Sequence, residues 1–148
     1  MFDAKFLEHL HISSLLHDIG KIGIPESILN KNGPLDEDEK KRMQEHPIVG
    51  VNILAPIKEL EHSMLGVKYH HEKYDGSGYP EGLKGEEIPL IASIISAADT
   101  FDAMTTNRPY RQALSVKEAV EEIARASGKQ FDPRVVNALV ELYHEKEV

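Results

Sequence analysis

The chain has 148 residues, no cysteine and a formal net charge of -8 at pH 7. This length suits one domain with one hydrophobic core, so we expect a single domain over residues 1–148. The acidic balance argues against a long nucleic acid as ligand. The absence of cysteine excludes disulfides and thiolate metal sites. Any metal must therefore be bound by imidazole and carboxylate groups, which favours iron, manganese or zinc.

The N-terminal sequence MFDAKFLEHL contains acidic residues and no continuous apolar run, unlike a signal peptide. No segment approaches the roughly 20 apolar residues that span a bilayer. We therefore expect a cytoplasmic protein with no membrane partner. Aromatic residues are few, tryptophan is absent, and valine and isoleucine occur mostly in helix-period patterns. These features predict an all-α fold.

The first part of the chain predicts three helices separated by turn-forming residues. Apolar spacing predicts a helix over residues 6–16, ended by the glycines and the proline that follow. Asp36 is suited to cap a charged helix over residues 37–45, whose early acids favour the helix dipole. The His-Pro step at 46–47 marks a boundary and opens a short helix that ends at Pro56.

The second part combines further helices with one long loop. Apolar residues over 60–68 predict a helix that leads into His70 and His71. The segment 75–89 holds four glycines and two prolines and predicts a long ordered loop of functional character. Pro89 opens a helix whose apolar run ends at Asp99. Two further helices are predicted, one from a Ser115–Glu118 capping box to Gly128 and one from Asp132–Pro133.

Six side chains of metal-binding type stand out, and five of them fall at or near the ends or apolar sides of these helices. The six are His17, Asp18, His46, His70, His71 and Asp99. Neighbouring helical residues diverge by about 100°, so an adjacent pair does not easily chelate one ion but can serve two through a bridging carboxylate. Two ions form a clamp for phosphoryl transfer. Each doublet alone is a weak signal, and the remaining histidines are interpreted as structural: His9, His11, His62 and His144.

Three longer strings carry more information than this spacing. They are HDIGKIGIP from His17, HHEKYDGSGYP from His70 and ADTFDAMTTNRPYR from Ala98. Together they resemble the HD-GYP family, which hydrolyses cyclic di-GMP, and the resemblance extends from about Leu10 to the C-terminus. It implies an all-α HD-superfamily helical bundle with a long GYP loop. The implied activity is a phosphodiesterase that produces pGpG, with GMP as a further product.

The resemblance also implies roles for single residues and two divalent ions, iron or manganese. Its implied metal ligands are His17, Asp18 and Asp99 for the first ion and His46, His70 and His71 for the second. Asp18 would bridge the two ions and, with Lys21, act at the reacting centre. Lys21 would lie beside the bridging hydroxide and the scissile phosphate, where a positive charge stabilises the transition state. As an alternative, Lys21 is a solvated cation near a helix end.

Residues near the rim of the site have implied roles in recognition. Arg108 and Arg111 are candidates for phosphate or guanine contacts, although ordinary surface charge explains Arg111 nearly as well. Asp102 would orient a ligand or Arg108. The implied partner loop is the GYP triplet, Gly78, Tyr79 and Pro80, and the implied partners are diguanylate cyclase or receiver domains.

The chain departs from the family pattern before its first motif. Family members usually have an earlier helix with another metal-ligating histidine, whereas here sixteen residues precede His17. His11 shares a helix face with Asp18 but lies roughly 10 Å away along the helix axis. The first metal site therefore lacks one expected ligand, which has three explanations. The chain is truncated at its N-terminus, a second subunit of a homodimer supplies the ligand, or water fills the position. The alternative functions are a weakly active metal-binding signalling module and an HD phosphohydrolase for another nucleotide.

Overall fold

The computed structural model describes residues 2–107 and 112–146, with side chains up to Glu145. These residues form eight α-helices: α1 (Ala4–Leu16), α2 (Glu26–Leu29), α3 (Glu37–Met43), α4 (His46–Leu54), α5 (Met64–Tyr69), α6 (Leu90–Thr105), α7 (Val116–Arg125) and α8 (Pro133–Lys146). Three short 3-10 helices lie at Ile19–Gly23, Lys58–Leu60 and Gly85–Glu87. The described part of the chain contains no β-strand, which confirms the predicted all-α class.

Local capping explains where several helices begin. Asp36 accepts a hydrogen bond from the backbone N–H of Glu39 and begins α3, and the Glu39 carboxylate completes a capping box. Ser115 and Glu118 form the predicted capping box of α7. That helix ends at Arg125 instead of Gly128, because Gly128 adopts a left-handed φ of 74° in the turn beyond it.

Two other predicted bounds were wrong. The charged helix α3 ends at Met43, two residues before the predicted end, because α4 begins at once at His46. The segment predicted as one helix from Leu60 is divided into a 3-10 helix and α5. The division lies at the fully buried Ser63, whose carbonyl oxygen accepts a hydrogen bond from Ser13 Oγ on α1 at 2.7 Å.

Close backbone contacts bring the ends of α1, α4 and α5 together. The 3-10 helix after α1 packs directly on α4, where a Cβ atom on Gly20 would lie 1.8 Å from the His46 carbonyl oxygen. On α5, a Cβ atom on Gly66 would lie 2.6 Å from Ser13 Cβ and 2.7 Å from Ile95 Cδ1. Glycine is therefore needed at both positions for the helices to approach, and the helix ends that hold the predicted ligands converge.

The C-terminal helices provide the apolar core and support the long loop. Ala97, Ile123, Phe131 and Val136 form a buried cluster between α6, α7 and α8. The predicted ordered loop is hydrogen-bonded to the turn between α7 and α8, with Asp75 N–H donating to the Lys129 carbonyl oxygen at 2.8 Å. Among the described helices, none combines the length and apolar character needed to cross a bilayer.

An open apolar groove of about 520 Å³ lies between α6 and α8. Its lining includes Phe2, Ile94, Phe101, Leu139 and Leu142. Phe2 and Leu142 are more than half exposed, at 53% and 55%. The groove therefore leaves apolar side chains in contact with solvent, and self-association through it stays a prediction.

Candidate metal centre

Four side chains converge at the meeting point of three helices. Asp18 follows α1, His46 opens α4, and His70 and His71 follow α5. One potential ligand atom from each lies within 4.8 Å of those of the other three. His46 Nε2 lies 3.3 Å and His70 Nε2 lies 3.9 Å from Asp18 Oδ1. The two histidines themselves approach to 3.4 Å between their Nε2 atoms.

His17 and Asp99 extend this cluster on the other side of Asp18. His17 Nε2 lies 3.5 Å from Asp18 Oδ2 and 3.7 Å from Asp99 Oδ1. Asp99 projects from α6, whose apolar face packs against the core. The structure therefore brings all six predicted metal-type residues into one contiguous cluster, with the Asp18 carboxylate between two groups of potential ligands. Their individual roles stay predictions.

Backbone carbonyl groups orient three of the four imidazole rings. In each case Nδ1 lies within hydrogen-bond distance of the carbonyl oxygen three residues earlier: 2.8 Å for His17 to Ser14, 2.8 Å for His46 to Met43 and 2.9 Å for His70 to Val67. An Nδ1–H that donates to a carbonyl leaves Nε2 as an unprotonated acceptor. When the rings are neutral, these three Nε2 atoms therefore face the cluster in the form that binds metal.

Unpaired acceptors at the centre support a cation there. His17 Nε2 and Asp18 Oδ1 are buried and have no hydrogen-bond partner among the described residues. Buried polar atoms are normally paired, and the facing Nε2 lone pairs of His46 and His70 would repel each other across 3.4 Å. Divalent cations on the two sides of the Asp18 carboxylate would satisfy these acceptors. Because the donor set is imidazole nitrogen and carboxylate oxygen, it fits the metals expected from the sequence.

Burial keeps two of the imidazoles neutral. It lowers the pKa of His70 to about 4 and that of His71 to about 3, so both are in the ligand form at neutral pH. The neighbouring Asp99 carboxylate raises the pKa of His17 against the opposing effect of burial. A metal ion would compete with that proton for Nε2.

The Asp18 carboxylate is ionised although it is partly buried. Burial favours its neutral form, but the Lys21 ammonium group holds its pKa below the ordinary value. Lys21 Nζ lies 2.6 Å from Asp18 Oδ2, from a position on the 3-10 helix after α1. Its side chain is 39% exposed, so solvent reaches the ammonium group beside the predicted reacting centre.

The predicted recognition residues are only partly described. Asp102 is exposed and lies one turn after Asp99 on α6, where it lines a cleft together with His17 and Asp99. His11 also lines this cleft. Arg108 and Arg111 lie outside the described residues. The orientation of a ligand or of Arg108 by Asp102 therefore stays a prediction.

The GYP triplet lies against the metal-type residues. The Tyr79 ring stacks on the His71 imidazole, with 4.8 Å between ring centroids and 24° between planes. The Tyr79–Pro80 peptide bond is cis. Burial raises the pKa of Tyr79 to about 12, so its phenol is neutral. Tyr79 thus forms part of the wall of the site, and partner recognition by Gly78, Tyr79 and Pro80 stays a prediction.

Glu72 is a site residue that the sequence interpretation missed. Its side chain is 3% exposed, and its carboxylate accepts three backbone hydrogen bonds from the far end of the GYP loop. The donors are Glu81 at 2.8 Å, Gly82 at 3.0 Å and Leu83 at 3.1 Å. The available signal was an acidic residue between a histidine doublet and a glycine-rich loop, a pattern that is equally common at exposed helix ends.

Comparison with known proteins identifies the family. The model of a family described as HD domain matches residues 1–135. The chain belongs to the HD-domain family. This membership and the relatives that follow confirm the resemblance to HD-GYP proteins that the three sequence strings indicate.

Several relatives of this HD domain are named as phosphodiesterases. The chain is 44% identical over 133 residues to a cyclic di-GMP phosphodiesterase response regulator, RpfG, of Xanthomonas campestris, covering 88% of this chain and 35% of that protein. It is 44% identical over 147 residues to a cyclic di-GMP phosphodiesterase of Thermotoga maritima, covering 97% of this chain and 39% of that protein. It is 41% identical over 135 residues to the 3'3'-cGAMP-specific phosphodiesterase 2 of Vibrio cholerae, covering 90% and 26%.

A solved structure supports the fold independently. The crystal structure of a cyclic GMP-AMP-specific phosphodiesterase from V. cholerae matches this HD domain with a TM-score of 0.76 at 23% identity. The match covers 97% of this chain and 39% of that chain. This HD domain therefore has the helical fold of that enzyme but spans well under half the length of the proteins that it matches.

Proposed function

We propose that this HD domain hydrolyses a phosphodiester bond of cyclic di-GMP with the help of two divalent cations. The observation that carries the proposal is the convergence of six imidazole and carboxylate groups in one cluster, with unpaired acceptors at its centre. The names of the relatives from X. campestris and T. maritima supply the substrate. Products would be pGpG and, after a second hydrolysis, GMP.

The proposed ligands divide into two groups around Asp18. His17 and Asp99 lie on one side of its carboxylate, and His46, His70 and His71 lie on the other. When bound, two cations would activate water and neutralise the charge that develops on phosphorus. Iron and manganese suit ligands that are all imidazole nitrogen or carboxylate oxygen.

The chain's own groups complete the proposed reaction. The Lys21 ammonium would neutralise charge on the scissile phosphate from its position beside Asp18. Arg108 and Arg111, outside the described residues, would hold the substrate's other phosphate or its guanine bases. Tyr79 would close one wall beside His71 and exclude water from that side of the site.

The first group of ligands is smaller than the second. His17, Asp99 and the bridging Asp18 would be the three protein ligands of the first ion. We propose that water or a residue of a second copy fills the remaining positions. A homodimer formed through the exposed apolar groove would supply the second copy, and light scattering at high protein concentration tests for it. If the protein is a monomer at every concentration, water is the ligand that fills the remaining positions.

A second substrate is favoured by one specific observation. The relative from V. cholerae that is named for 3'3'-cGAMP is 41% identical, close to the 44% of the relatives named for cyclic di-GMP. The two substrates differ in one base, and a metal centre that acts on phosphorus does not by itself discriminate between bases. Base contacts by Arg108 or Arg111 would decide the preference.

One assay separates the candidate functions. The full chain is loaded with Mn²⁺ or Fe²⁺, its metal content is measured, and the hydrolysis of cyclic di-GMP and 3'3'-cGAMP is followed separately, beside a His70→Ala control. The proposal expects two metals and faster hydrolysis of cyclic di-GMP, abolished in the control. Faster hydrolysis of 3'3'-cGAMP would favour the second substrate. Two bound metals without hydrolysis would favour a binding module and contradict the proposal.

A further inference from the structure

The imidazole of His71 differs from the other three in how it is oriented. His17, His46 and His70 each direct Nδ1 to a backbone carbonyl oxygen. Among the described residues, the His71 ring instead makes ring contacts, with His46, His70 and Tyr79. Of these, the stacking with Tyr79 is the contact that comes from outside the cluster of metal-type residues.

Tyr79 in turn is held in place by the two ends of its own loop. Its backbone N–H donates to the His71 carbonyl oxygen at 3.3 Å. At Gly78 the two segments touch backbone to backbone, because a Cβ atom there would lie 2.3 Å from Lys73 N and 2.5 Å from Glu72 Cα. The loop therefore returns directly onto the residues that follow α5.

The Glu72 carboxylate holds the returning part of the loop against the residues that follow α5. Three consecutive backbone N–H groups, from Glu81, Gly82 and Leu83, donate to its two carboxylate oxygens. A hydrogen bond to an ionised acceptor is stronger than one between neutral groups, and burial strengthens it further. The Glu72 side chain is 3% exposed, so solvent does not replace these bonds. Because Glu72 directly follows His71, the same carboxylate links the loop to the backbone that supports the ligand.

We propose that Glu72 is a positioning residue: through the backbone of residues 81–83 it holds Tyr79 on His71 and so fixes the His71 imidazole for metal binding. The metal-binding part of this inference rests on the proposed function. The orientation of the ring does not, and it is testable in metal-free protein. The nearby Lys68–Glu81 ion pair is more exposed and is expected to contribute less.

The first test uses Glu72→Gln in the metal-free full chain. Glutamine retains the size of glutamate but presents an NH₂ group where Leu83 N–H requires an acceptor. Exchange of the amide hydrogens of residues 81–83 should accelerate by about tenfold or more, and the NMR contacts between the Tyr79 and His71 rings should weaken. Glu86→Gln is the matched control, because Glu86 belongs to the same loop but has a side chain that is 76% exposed. Unchanged ring contacts in Glu72→Gln would overturn the inference.

The second test distinguishes positioning from general support of the fold. Mn²⁺ affinity is measured for Glu72→Gln, Tyr79→Leu and the double variant. Each single variant should lose about 10- to 100-fold in affinity for the ion that His46, His70 and His71 would hold. The double variant should lose little more than Tyr79→Leu, since both substitutions act through one ring contact. Additive losses would overturn the inference. If the wild-type chain binds no Mn²⁺, the proposed metal function fails, while the first test still decides the role of Glu72 in orienting the ring.

Discussion

His46 Nε2 lies 3.3 Å from Asp18 Oδ1, so the first residue of α4 meets the end of α1 at the centre of the metal-type cluster. Gly20 permits this approach, because its backbone lies against the His46 carbonyl group without room for a side chain. Asp18 also contacts His17, His70 and Lys21. The Asp18 carboxylate thus connects the His17 side of the cluster with the side that contains His46 and His70.

Asp18→Asn tests that joining role. Asparagine is almost the same size but lacks the negative charge that two cations would share. We expect loss of both metals and a fall in activity of at least the roughly 100-fold that outer-shell changes reach. Metal content and turnover are measured together. Asp38→Asn on the exposed side of α3 is the control, since Asp38 is 98% exposed. A fully metallated, active Asp18→Asn protein would refute the assignment.

Lys21→Met tests charge stabilisation separately from metal binding. Methionine retains the length of the side chain without its charge, so both metals should remain bound. The kcat value should fall by about 10²- to 10³-fold, comparable with the loss of one transition-state donor. Lys58→Met, in the 3-10 helix remote from the cleft, is the control. A fall in metal content that accounts for the whole loss of activity would assign Lys21 to holding Asp18 instead.

Gly20→Ala tests the close approach of the α1 end to α4. A Cβ atom would lie 1.8 Å from the His46 carbonyl oxygen and 2.5 Å from Gly50 N, so the backbone must shift. Overpacking of this kind costs about 1–3 kcal/mol of unfolding free energy, and displacement of His46 should also weaken metal binding. Denaturant unfolding measures the first effect and metal titration the second. Ser27→Ala, at an exposed position on α2, should change neither.

Stability of the metal-free protein should depend on pH through the buried histidines. Burial lowers the pKa of His70 from 6.5 to about 4. Between these two pH values the unfolded chain therefore binds a proton at this residue and the folded chain does not. The unfolding free energy should therefore fall as pH drops below about 6.5, by on the order of 2 kcal/mol at pH 5 from His70. His71 acts in the same direction, whereas the raised pKa of His17 partly opposes it.

Denaturant unfolding between pH 8 and pH 5 in the presence of a chelator provides the measurement. His70→Asn should flatten the dependence, while His62→Asn, at an exposed position, should leave it as in the wild type. A wild-type stability that does not change over this interval would contradict the buried, neutral state of His70.

The sequence was sufficient for the fold class, most helix starts and the set of metal-type residues. Capping boxes at Asp36 and Ser115 depend on residues three positions apart, and such local signals survive in any fold. The HD and HH doublets are contiguous in sequence, and the family strings contain them whole. Helix ends were predicted less well, because the burial of Ser63 and the immediate start of α4 at His46 depend on packing between helices.

The supports of the site could not be predicted in the same way. Glu72 has its effect through hydrogen bonds to residues 81–83, and Tyr79 through a stacking contact with His71. Both depend on the path of an irregular loop that has no periodic pattern. An acidic residue after a helix is usually exposed, so only the burial of Glu72 in the structure reveals its function.

Anomalous diffraction from crystals of the Mn²⁺-loaded chain tests the central claim most directly. We expect two manganese peaks, one on each side of the Asp18 carboxylate. The first should lie beside His17 and Asp99 and the second among His46, His70 and His71. A single peak remote from Asp18, or no peak in crystals that contain saturating Mn²⁺, would contradict it.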